Sequence, residues 1–439
     1  MSELSGGSES FDVVVVGAGP AGAAAALVLA RAGRRVALVE RGPFPGSKNM
    51  YGGVVYGRIL DTLIPRWWEE VPVERWITRR GTMIMTPTQS ITLDFRTAAW
   101  GQAPYNGCTT LRPEFDAWLA GKAEAAGATL VCSTTVTGLR RLGGRVAGVR
   151  TDRPGGDIDA PIVIACDGVN SFIAKEAGLY PPVEQKNFTL GAKEVLALPR
   201  EVIEDRFGVS GSDGVDIEII GCTGDVAGGG FVYTNLDTVS IGVVLALDGL
   251  SKAKIRPEQF IADLKAHPSI APLVAGGELK EYSAHLIPEG GYDSMPELVA
   301  DGLLVAGDAA CMCLAAGLWL EGVNYAIGSG IAAGEAAAEA LRTGDTSALG
   351  LAGYRRRLEE GFVLQDHKKL RHAPHIVLSE RVQHSMPKLA CDILEGMFTV
   401  ENPKPKRGLL QVGRAAQRAS GLRLRDLARD AFDALRTYR

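Results

Sequence analysis

The sequence predicts an α/β protein in which a parallel sheet is interrupted by an antiparallel β-sheet and followed by a helical C-terminal region. Three observations predict this fold class. A strand–turn–helix–strand pattern runs from residue 11 to residue 39. Between residues 215 and 247, short strands follow one another without helices, which is typical of an antiparallel sheet. From about Thr346 onward, the pattern is helical.

The opening pattern begins with a valine-rich run, residues 11–16, which Gly17 ends. Such a run is typical of a strand buried on both faces of a parallel sheet. Residues 21–32 are rich in alanine and stop at Gly33, as a helix does. Residues 35–39 predict a second buried strand, so the three segments together form a βαβ unit of about ~30 residues.

The rest of the chain mixes both kinds of pattern. A helix that begins with proline and stops at glycine is predicted at 113–127. Further strands are expected within 130–149, around a glycine turn, and at 162–165, 215–220, 229–234, 239–247 and 303–306, with helices at 257–267 and 325–341. Because the buried parallel-strand pattern returns at 303–306, we expect the first domain to be discontinuous.

Composition and charge exclude several classes of protein. The chain has 439 residues, enough for two or three domains, and its formal net charge of −4 gives no case for nucleic acid as a general partner. The seven cysteines are odd in number and widely spaced, which predicts neither a secreted disulfide framework nor an iron–sulfur site. The histidines show no metal-binding spacing, so no metal site is predicted, and His285 is expected to be structural.

The N-terminal residues 1–10 are polar and acidic, unlike a signal peptide. Glycines and arginines interrupt the most apolar stretch, residues 13–39, so it does not predict a transmembrane helix. We therefore expect a cytoplasmic protein, either free or peripheral on the inner face of the cell membrane.

A glycine motif, Gly17-Ala-Gly19-Pro-Ala-Gly22, joins the first strand to the first helix. Gly17 permits a tight turn, Gly19 lets the backbone approach a pyrophosphate, and Gly22 lets helix and strand pack closely. The helix N-terminus stabilises the phosphate charge. Glu40 ends the second strand, 18 residues after Gly22, where its carboxylate can accept hydrogen bonds from ribose hydroxyls. The motif in this context predicts dinucleotide binding.

Two later motifs favour FAD over NAD. Asp167-Gly168 and Gly307-Asp308 each follow a predicted buried strand. An aspartate beside a glycine turn at a strand end can bond a ribityl hydroxyl while the backbone faces the pyrophosphate. In this order, the three motifs resemble those of the FAD-containing hydroxylase and reductase superfamily, over about residues 11–340. The resemblance implies a Rossmann-type FAD-binding domain with an inserted antiparallel β-sheet substrate domain.

This interpretation divides the chain into alternating segments. We expect the FAD-binding domain at 11–75, 106–187 and 296–345, the substrate domain at 76–105 and 188–295, and the helical C-terminal region at 346–439. From Glu401 onward, the tail holds ten basic residues against four acidic ones. This excess of positive charge predicts docking on anionic lipid or an acidic ferredoxin, with a solvated helix face as the alternative.

Five further segments resemble FixC-type flavoproteins, relatives of electron-transfer-flavoprotein:quinone oxidoreductase. They are GSKNMYGG at 46–53, LRPEFDAWL at 111–119, GGGFVYTN at 228–235, EYSAHLIPE at 281–289 and EGVNYAI at 321–327. The resemblance covers nearly the whole chain. It implies that an electron-transfer flavoprotein delivers electrons, that the flavin passes them toward a quinone, and that a separate FixX-like ferredoxin subunit carries the iron–sulfur cluster.

The resemblance also implies where the cofactor lies. Arg112 is expected near the FAD pyrophosphate or ribityl chain. A helix that begins near Glu321 is expected to point its N-terminus at the N1/C2 edge of the flavin, where it would stabilise the anionic reduced form. No catalytic residue is assigned. The expected cofactor-binding residues are Gly17, Gly19, Pro20, Ala21, Gly22, Glu40, Arg41, Lys48, Asn49, Gly52, Gly53, Arg112, Val136, Asp167, Gly168, Gly307, Asp308, Gly317, Gly322, Val323 and Asn324.

Three other functions fit parts of the sequence. A geranylgeranyl-reductase-like enzyme saturates isoprenoid double bonds, but that family typically carries a cysteine where this chain has Met50 and Tyr51. An FAD monooxygenase would use NAD(P)H and oxygen, and such enzymes often lack a second nucleotide motif, as this chain does. In the third alternative, the protein is an assembly subunit whose FAD is structural.

Two groups of residues have two interpretations each. Cys311 and Cys313 form a CxC pair after the third motif, where packed thiols are favoured over a redox-active dithiol because a CxC ring is strained. Trp67, Trp68 and Trp76 are expected in the core rather than on a surface that faces quinone or membrane.

Overall fold

The computed structural model describes residues 10–49, 53–182, 184–317 and 320–439. Over these residues, the strands are β1 (Val13–Val16), β2 (Val36–Val39), β3 (Gly53–Val55), β4 (Arg75–Met85), β5 (Ser90–Arg96), β6 (Cys108–Thr110), β7 (Thr129–Val131), β8 (Val136–Leu142), β9 (Arg145–Thr151), β10 (Ile158–Asp159), β11 (Ile162–Ala165), β12 (Phe188–Ala197), β13 (Asp213–Ile220), β14 (Gly228–Thr234), β15 (Thr238–Ala246), β16 (Glu278–Pro288), β17 (Val299–Ala300), β18 (Leu303–Val305), β19 (Leu314–Ala315) and β20 (Leu320–Glu321). The α-helices are α1 (Pro20–Arg31), α2 (Arg112–Ala125), α3 (Phe172–Glu176), α4 (Arg200–Phe207), α5 (Leu247–Ala253), α6 (Pro257–Ala266), α7 (Ala271–Val274), α8 (Val323–Thr343), α9 (Gly353–Glu360), α10 (Phe362–Lys369), α11 (Ala373–Val377), α12 (Met386–Phe398), α13 (Leu409–Ala419) and α14 (Leu424–Thr437).

In the described part of the chain, six strands form a mostly parallel sheet in the order β17-β18-β11-β1-β2-β7. β1 consists of four buried valines and pairs in parallel with β2 on one side and β11 on the other. β11 in turn pairs in parallel with β18. The buried strands predicted at the start of the chain, at 162–165 and at 303–306 are therefore confirmed, and they lie side by side.

Two helices rich in small residues, α1 and α8, pack closely against each other. A Cβ added at Gly330 of α8 would lie 2.1 Å from the backbone oxygen of Ala21 in α1, and one at Gly334 would lie 2.9 Å from that of Ala25. Only glycine fits where two backbones approach this closely. The last helix of the α/β part of the chain, α8, thus packs directly against its first helix, α1.

A larger sheet has the order β16-β12-β15-β14-β13-β4-β6-β3, with β5 beside β4, within the residues described. The prediction of an antiparallel sheet is right for most of its pairs and wrong for one, because β4 and β13 pair in parallel. Parallel neighbours need a long crossover connection, and the chain between β4 and β13 passes through β5 to β12.

The two faces of this larger sheet differ in chemistry. Val215, Ile217 and Ile219 of β13 belong to an apolar cluster that also contains side chains of α4 and α6. Side chains alternate along a strand, so Asp216 and Glu218 lie on the opposite face. Both are nevertheless buried, at 5% and 8% exposure. This second face therefore carries charged side chains that are buried. A sheet face with charged side chains is ordinarily open to water, and a buried face is ordinarily apolar.

The predicted helical C-terminal region is confirmed, since α9 to α14 follow α8. Trp67 and Trp76 are buried in one apolar core cluster, as expected, with ring centroids 5.9 Å apart. Trp68 is half-buried against the same core. Among the helices of the described ranges, none has the length and apolar character that a bilayer crossing requires.

Candidate functional site

A cavity of about 420 Å³ opens where β1, β11 and β18 end. Ligands in open α/β sheets bind outside the carboxyl ends of such strands. We call it the motif cavity, because all three sequence motifs contribute to its lining. The predicted residues that line it are Gly17, Gly19, Pro20, Ala21, Glu40, Arg41, Lys48, Asn49, Arg112, Val136, Asp167, Gly168, Asp308, Gly322 and Val323.

A minority of the predicted residues are not part of this lining over the described ranges. A Cβ at Gly22 would lie 1.9 Å from the Gly17 backbone oxygen, so Gly22 packs α1 against the turn instead. A Cβ at Gly307 would lie 2.9 Å from the Cβ of Ala21. Gly52 lies outside the described residues. The others that do not line the motif cavity are Gly53, Gly317 and Asn324.

The turn before α1 forms a cradle that fits a pyrophosphate. Gly17 has φ +97°, a conformation that favours glycine, and a Cβ there would lie 2.3 Å from the Cys166 backbone oxygen. A Cβ at Gly19 would meet nothing within 4 Å, so the missing side chain leaves open space beside the cavity. No side chain within the described part of the chain caps the N-terminus of α1. Its first N–H groups can therefore bind an anion.

Glu40 closes this cradle from the end of β2. Its Oε2 accepts a hydrogen bond from the backbone N–H of Ala18 at 3.1 Å, and its Oε1 accepts one from Gly42 at 2.7 Å. These bonds hold the carboxylate in one orientation at the cavity wall. Each carboxylate oxygen can accept a second bond, so Glu40 can still take ribose hydroxyls.

Asp167 provides a test of whether the site fits FAD. Its Oδ2 accepts a hydrogen bond from the N–H of Ile173 at 3.1 Å. Its Oδ1 is buried without a partner among the described residues, and burial raises the pKa of this carboxyl. A buried acceptor without a donor is costly. A hydroxyl of the cofactor would satisfy this oxygen, so the residues present fit FAD.

Asp116 positions two of the predicted cofactor contacts, although it was not among them. Arg112 donates two hydrogen bonds to its carboxylate, at 2.9 and 3.0 Å, and the Asn49 amide donates a third at 2.5 Å. Asp116 is fully buried. The spacing of Arg112 and Asp116, one helical turn apart in α2, is the signal that could have revealed this pair.

β16 also contributes residues that the sequence did not assign to the site. His285, Leu286 and Ile287 line the motif cavity. The His285 ring donates from Nδ1 to the Leu286 carbonyl oxygen at 2.6 Å, which fits the expected structural role, although the residue also lines the motif cavity. The residue pattern of β16 alone cannot show which of its side chains face the motif cavity, because that cavity lies at the end of a different sheet.

Cys313 lines the motif cavity, and Cys311 lies two residues before it, outside that lining. Cys311 is 2% exposed, and its Sγ lies 2.8 Å from the Tyr180 hydroxyl. Burial raises the pKa of Cys311 to about 11 and also raises the pKa of Cys313. Thiols that stay protonated are poor nucleophiles. Both cysteines are free, so the structure favours packed thiols over a redox-active pair.

A second cavity, of about 590 Å³, adjoins the first. We call it the Tyr56 cavity. Asn324, which does not reach the motif cavity, lines this one together with Tyr56, Glu321 and Tyr438. Within the described ranges, no three His, Cys, Asp or Glu side chains come together as metal ligands do.

Comparison with known sequences identifies relatives over most of the chain. A family model described as an FAD binding domain matches residues 10–210. The FixC protein of Escherichia coli O157:H7 is 42% identical over 397 residues, which cover 90% of this chain and 92% of that protein. A probable electron transfer flavoprotein-quinone oxidoreductase, YdiS of Escherichia coli K12, is 40% identical over 401 residues, or 91% of this chain and 92% of YdiS. FixC of Bradyrhizobium diazoefficiens is 39% identical over 405 residues, which cover 91% of this chain and 93% of that protein.

Solved structures share the fold at lower identity. A geranylgeranyl bacteriochlorophyll reductase-like protein from Thermoplasma acidophilum matches with a TM-score of 0.72 and 21% identity, over 94% of this chain and 98% of that one. The flavin-dependent brominase Bmp2 matches with a TM-score of 0.65 and 16% identity, over 98% and 100%. These matches confirm the predicted α/β fold, and the family model of an FAD binding domain confirms FAD as the cofactor.

Proposed function

This chain belongs to the FixC family of FAD-dependent oxidoreductases, and we propose that it passes electrons from an electron-transfer flavoprotein through FAD toward quinone. The observation that carries this proposal is the 40% identity to YdiS over 91% of the chain. When bound, FAD supplies reversible uptake of two electrons. The proposal includes a FixX-like ferredoxin subunit, which the resemblance to the family implies.

The chain's own residues have the tasks of holding and tuning the cofactor. Arg112 and Asn49, both fixed by Asp116, would orient the cofactor from one side of the motif cavity. Gly322 and Val323 bring the N-terminus of α8 into the cavity lining, and no side chain of the described residues caps that terminus. Its partial positive charge would favour a reduced flavin that carries negative charge.

The proposal is tested by the identity of the electron donor. The FAD-loaded protein is mixed under anaerobic conditions with reduced electron-transfer flavoprotein or with NAD(P)H, and flavin bleaching is followed by stopped-flow absorbance. We expect rapid bleaching with the flavoprotein alone. Rapid bleaching by NAD(P)H alone would instead favour a monooxygenase, and a flavin that neither donor reduces would favour a structural role.

We also propose that the C-terminal helices bind the surface of an anionic membrane. Leu424, Phe432 and Leu435 of α14 are 75%, 65% and 73% exposed, and their spacing puts them on one helical face. The arginines of α14 are exposed as well, whereas its aspartates are half-buried, and Asp430 is bonded to Arg381. An exposed apolar face with basic residues beside it is typical of helices that lie on membranes.

This docking is tested by sedimentation with vesicles that contain phosphatidylglycerol. The triple variant Leu424→Ser, Phe432→Ser and Leu435→Ser should lose most vesicle binding. High salt should weaken the binding of the wild-type protein to the vesicles. Leu349→Ser is a matched control, because Leu349 is 82% exposed but lies outside the C-terminal helices. Equal binding by the triple variant and the wild type would remove the membrane proposal.

A further inference from the structure

The Tyr56 cavity has the size and lining of a site for a flat organic ring. Its volume of about 590 Å³ falls within the range of roughly 300–1,000 Å³ that is usual for small-molecule sites. Tyr325, Phe362 and Leu314 make part of the wall apolar, and Glu321 adds a polar group. Apolar walls bury a ring, and a few polar groups orient it.

A thin wall separates this cavity from the motif cavity. Glu321 and Asn324 line the Tyr56 cavity, whereas Gly322 and Val323, between them in sequence, line the motif cavity. A ligand in the Tyr56 cavity would thus lie across this short segment from the cofactor. Electron transfer requires such a short gap, so the two cavities suit an electron donor and its acceptor.

A buried group of charges lies behind Tyr56. The Arg80 guanidinium lies 5.6 Å from the centre of the Tyr56 ring, donates to Glu218 Oε1 at 2.5 Å, and pairs with Asp216 Oδ2 at 3.5 Å. Buried ion pairs rarely stabilise a fold more than apolar packing would. The opposite face of β13 shows that apolar packing is available to this sheet, so the charges indicate chemistry rather than stability.

Together these two carboxyl groups are suited to share a proton near neutral pH. Burial raises the pKa of Asp216 and of Glu218, and the Asp216 charge raises that of Glu218 further, against the opposing effect of Arg80. Burial also raises the pKa of Tyr56 and of Glu321. Two carboxyls this close titrate as a pair. The remaining charged groups on the cavity wall are Arg58, Asp366 and Lys369.

We propose that the Tyr56 cavity binds the quinone headgroup and that Asp216 and Glu218, held by Arg80, supply through Tyr56 one of the two protons that quinone reduction consumes. The inference rests on the proposed function, which supplies the electrons. Reduction takes two electrons from the reduced flavin and two protons, and each C=O of the ring becomes C–OH. Tyr56 gives its hydroxyl proton to the quinone oxygen that faces it and takes one from the carboxyl pair, which solvent protonates again. The oxygen at the opposite end of the ring takes its proton from solvent at the exposed rim of the cavity.

The C-terminal helices give a lipid-soluble substrate a route to this cavity. Tyr438 directly follows α14, lines the Tyr56 cavity, and donates from its hydroxyl to the Ala316 carbonyl oxygen at 3.0 Å. The helix whose outer face carries exposed leucine and phenylalanine side chains thus forms part of the cavity wall at its end. A quinone that leaves a membrane under α14 would reach the cavity without crossing water.

The proton role is tested with Glu218→Gln and, as a second variant of unchanged shape, Tyr56→Phe. The reduced holoprotein is mixed with ubiquinone-1, which takes up protons, or with ferricenium, which does not. We expect the ratio of the two rates to fall at least tenfold in both variants, with loss of the pH dependence near neutrality. Glu194→Gln is the matched control, because Glu194 is a buried carboxyl on the same sheet that pairs with Lys265 at 2.6 Å on α6, away from the cavity. Wild-type ratios and pH profiles in both variants would overturn the proton role.

The location of the quinone is tested with Thr62→Trp, which places a large ring at the exposed rim of the Tyr56 cavity. Calorimetric titration of the oxidised holoprotein with ubiquinone-1 should show at least tenfold weaker binding, while FAD content and reduction by the electron-transfer flavoprotein stay at wild-type levels. Unchanged binding would overturn the location alone. A wild-type protein that accepts electrons but never reduces quinone would overturn the proposed function, and this inference with it.

Discussion

The substitution Gly22→Ala would separate the role of the glycine motif in packing from its role in phosphate contact. The added Cβ would lie 1.9 Å from the Gly17 backbone oxygen and 3.2 Å from a Val15 methyl group. Ordinary contact begins at 3.4 Å, so α1 would have to move by about 1.5 Å away from the turn. Overpacking of this kind costs about 1–3 kcal/mol, against a gain of at most ~1 kcal/mol in helix propensity. A displacement of this size would also break a hydrogen bond from the first N–H groups of α1 to the phosphate, and a hydrogen bond to a charged group contributes about 1.5–3 kcal/mol, or roughly 10- to 100-fold in affinity.

We therefore expect Gly22→Ala to unfold at lower denaturant concentration and to bind FAD about 10- to 100-fold more weakly, by the same displacement argument. FAD affinity is measured by titrating FAD-free protein and following flavin fluorescence. Gly121→Ala is the control, because Gly121 lies within α2 and a Cβ there would meet nothing within 4 Å. It should stabilise the protein by about 0.5–1 kcal/mol and leave FAD affinity unchanged. Wild-type FAD affinity in Gly22→Ala would refute the packing argument.

Two further predictions concern charged residues. Glu40→Gln should weaken FAD binding about 10- to 100-fold, since a hydrogen bond to a charged group contributes about 1.5–3 kcal/mol, and an unchanged dissociation constant would show that Glu40 does not hold the ribose. Burial lowers the pKa of Lys193 to about 7 from 10.5. Between these two pH values, the unfolded chain binds a proton that the folded chain does not, so the stability of the folded protein falls as the pH drops from 10.5 to 7. Lys193→Met should accordingly stabilise the FAD-free protein at pH 7 by an amount on the order of 3–5 kcal/mol, since one pKa unit corresponds to ~1.4 kcal/mol. In urea unfolding curves, this gain in stability should vanish as the pH rises toward 10.5. A gain that is independent of pH would contradict the prediction.

Local patterns predicted the parallel sheet because each strand carries its own signal. β11, at Ile162–Ala165, has the bounds that the sequence predicted, and β1 is a run of valines with glycine at its end. The cradle followed because its glycines and Glu40 occur at a characteristic spacing. The assignment of individual residues to FAD stays a prediction, as do the domain boundaries.

Sequence patterns failed where burial depends on distant segments. β13 alternates apolar and acidic residues, which is typical of a strand with one face in water. The structure buries Asp216 and Glu218 instead, at a place where Arg80 pairs with both of them and lies 5.6 Å from the Tyr56 ring. The parallel pairing of β4 with β13 is equally invisible in either strand alone. Local periodicity shows that a strand has two faces but not what lies against each of them.

The backbone contact between α1 and α8 also bears on how the protein is made. On the ribosome, β1 and α1 are synthesised early, whereas Gly330, which seats α8 on Ala21, emerges only after most of the polypeptide. Until then, the part of α1 that α8 covers has no partner, and the edge of β11 that later pairs with β18 is open. Such long-range contacts make folding slow and leave nascent chains prone to aggregation. The two helices beside the FAD site therefore cannot reach their final packing until nearly four fifths of the polypeptide has been made.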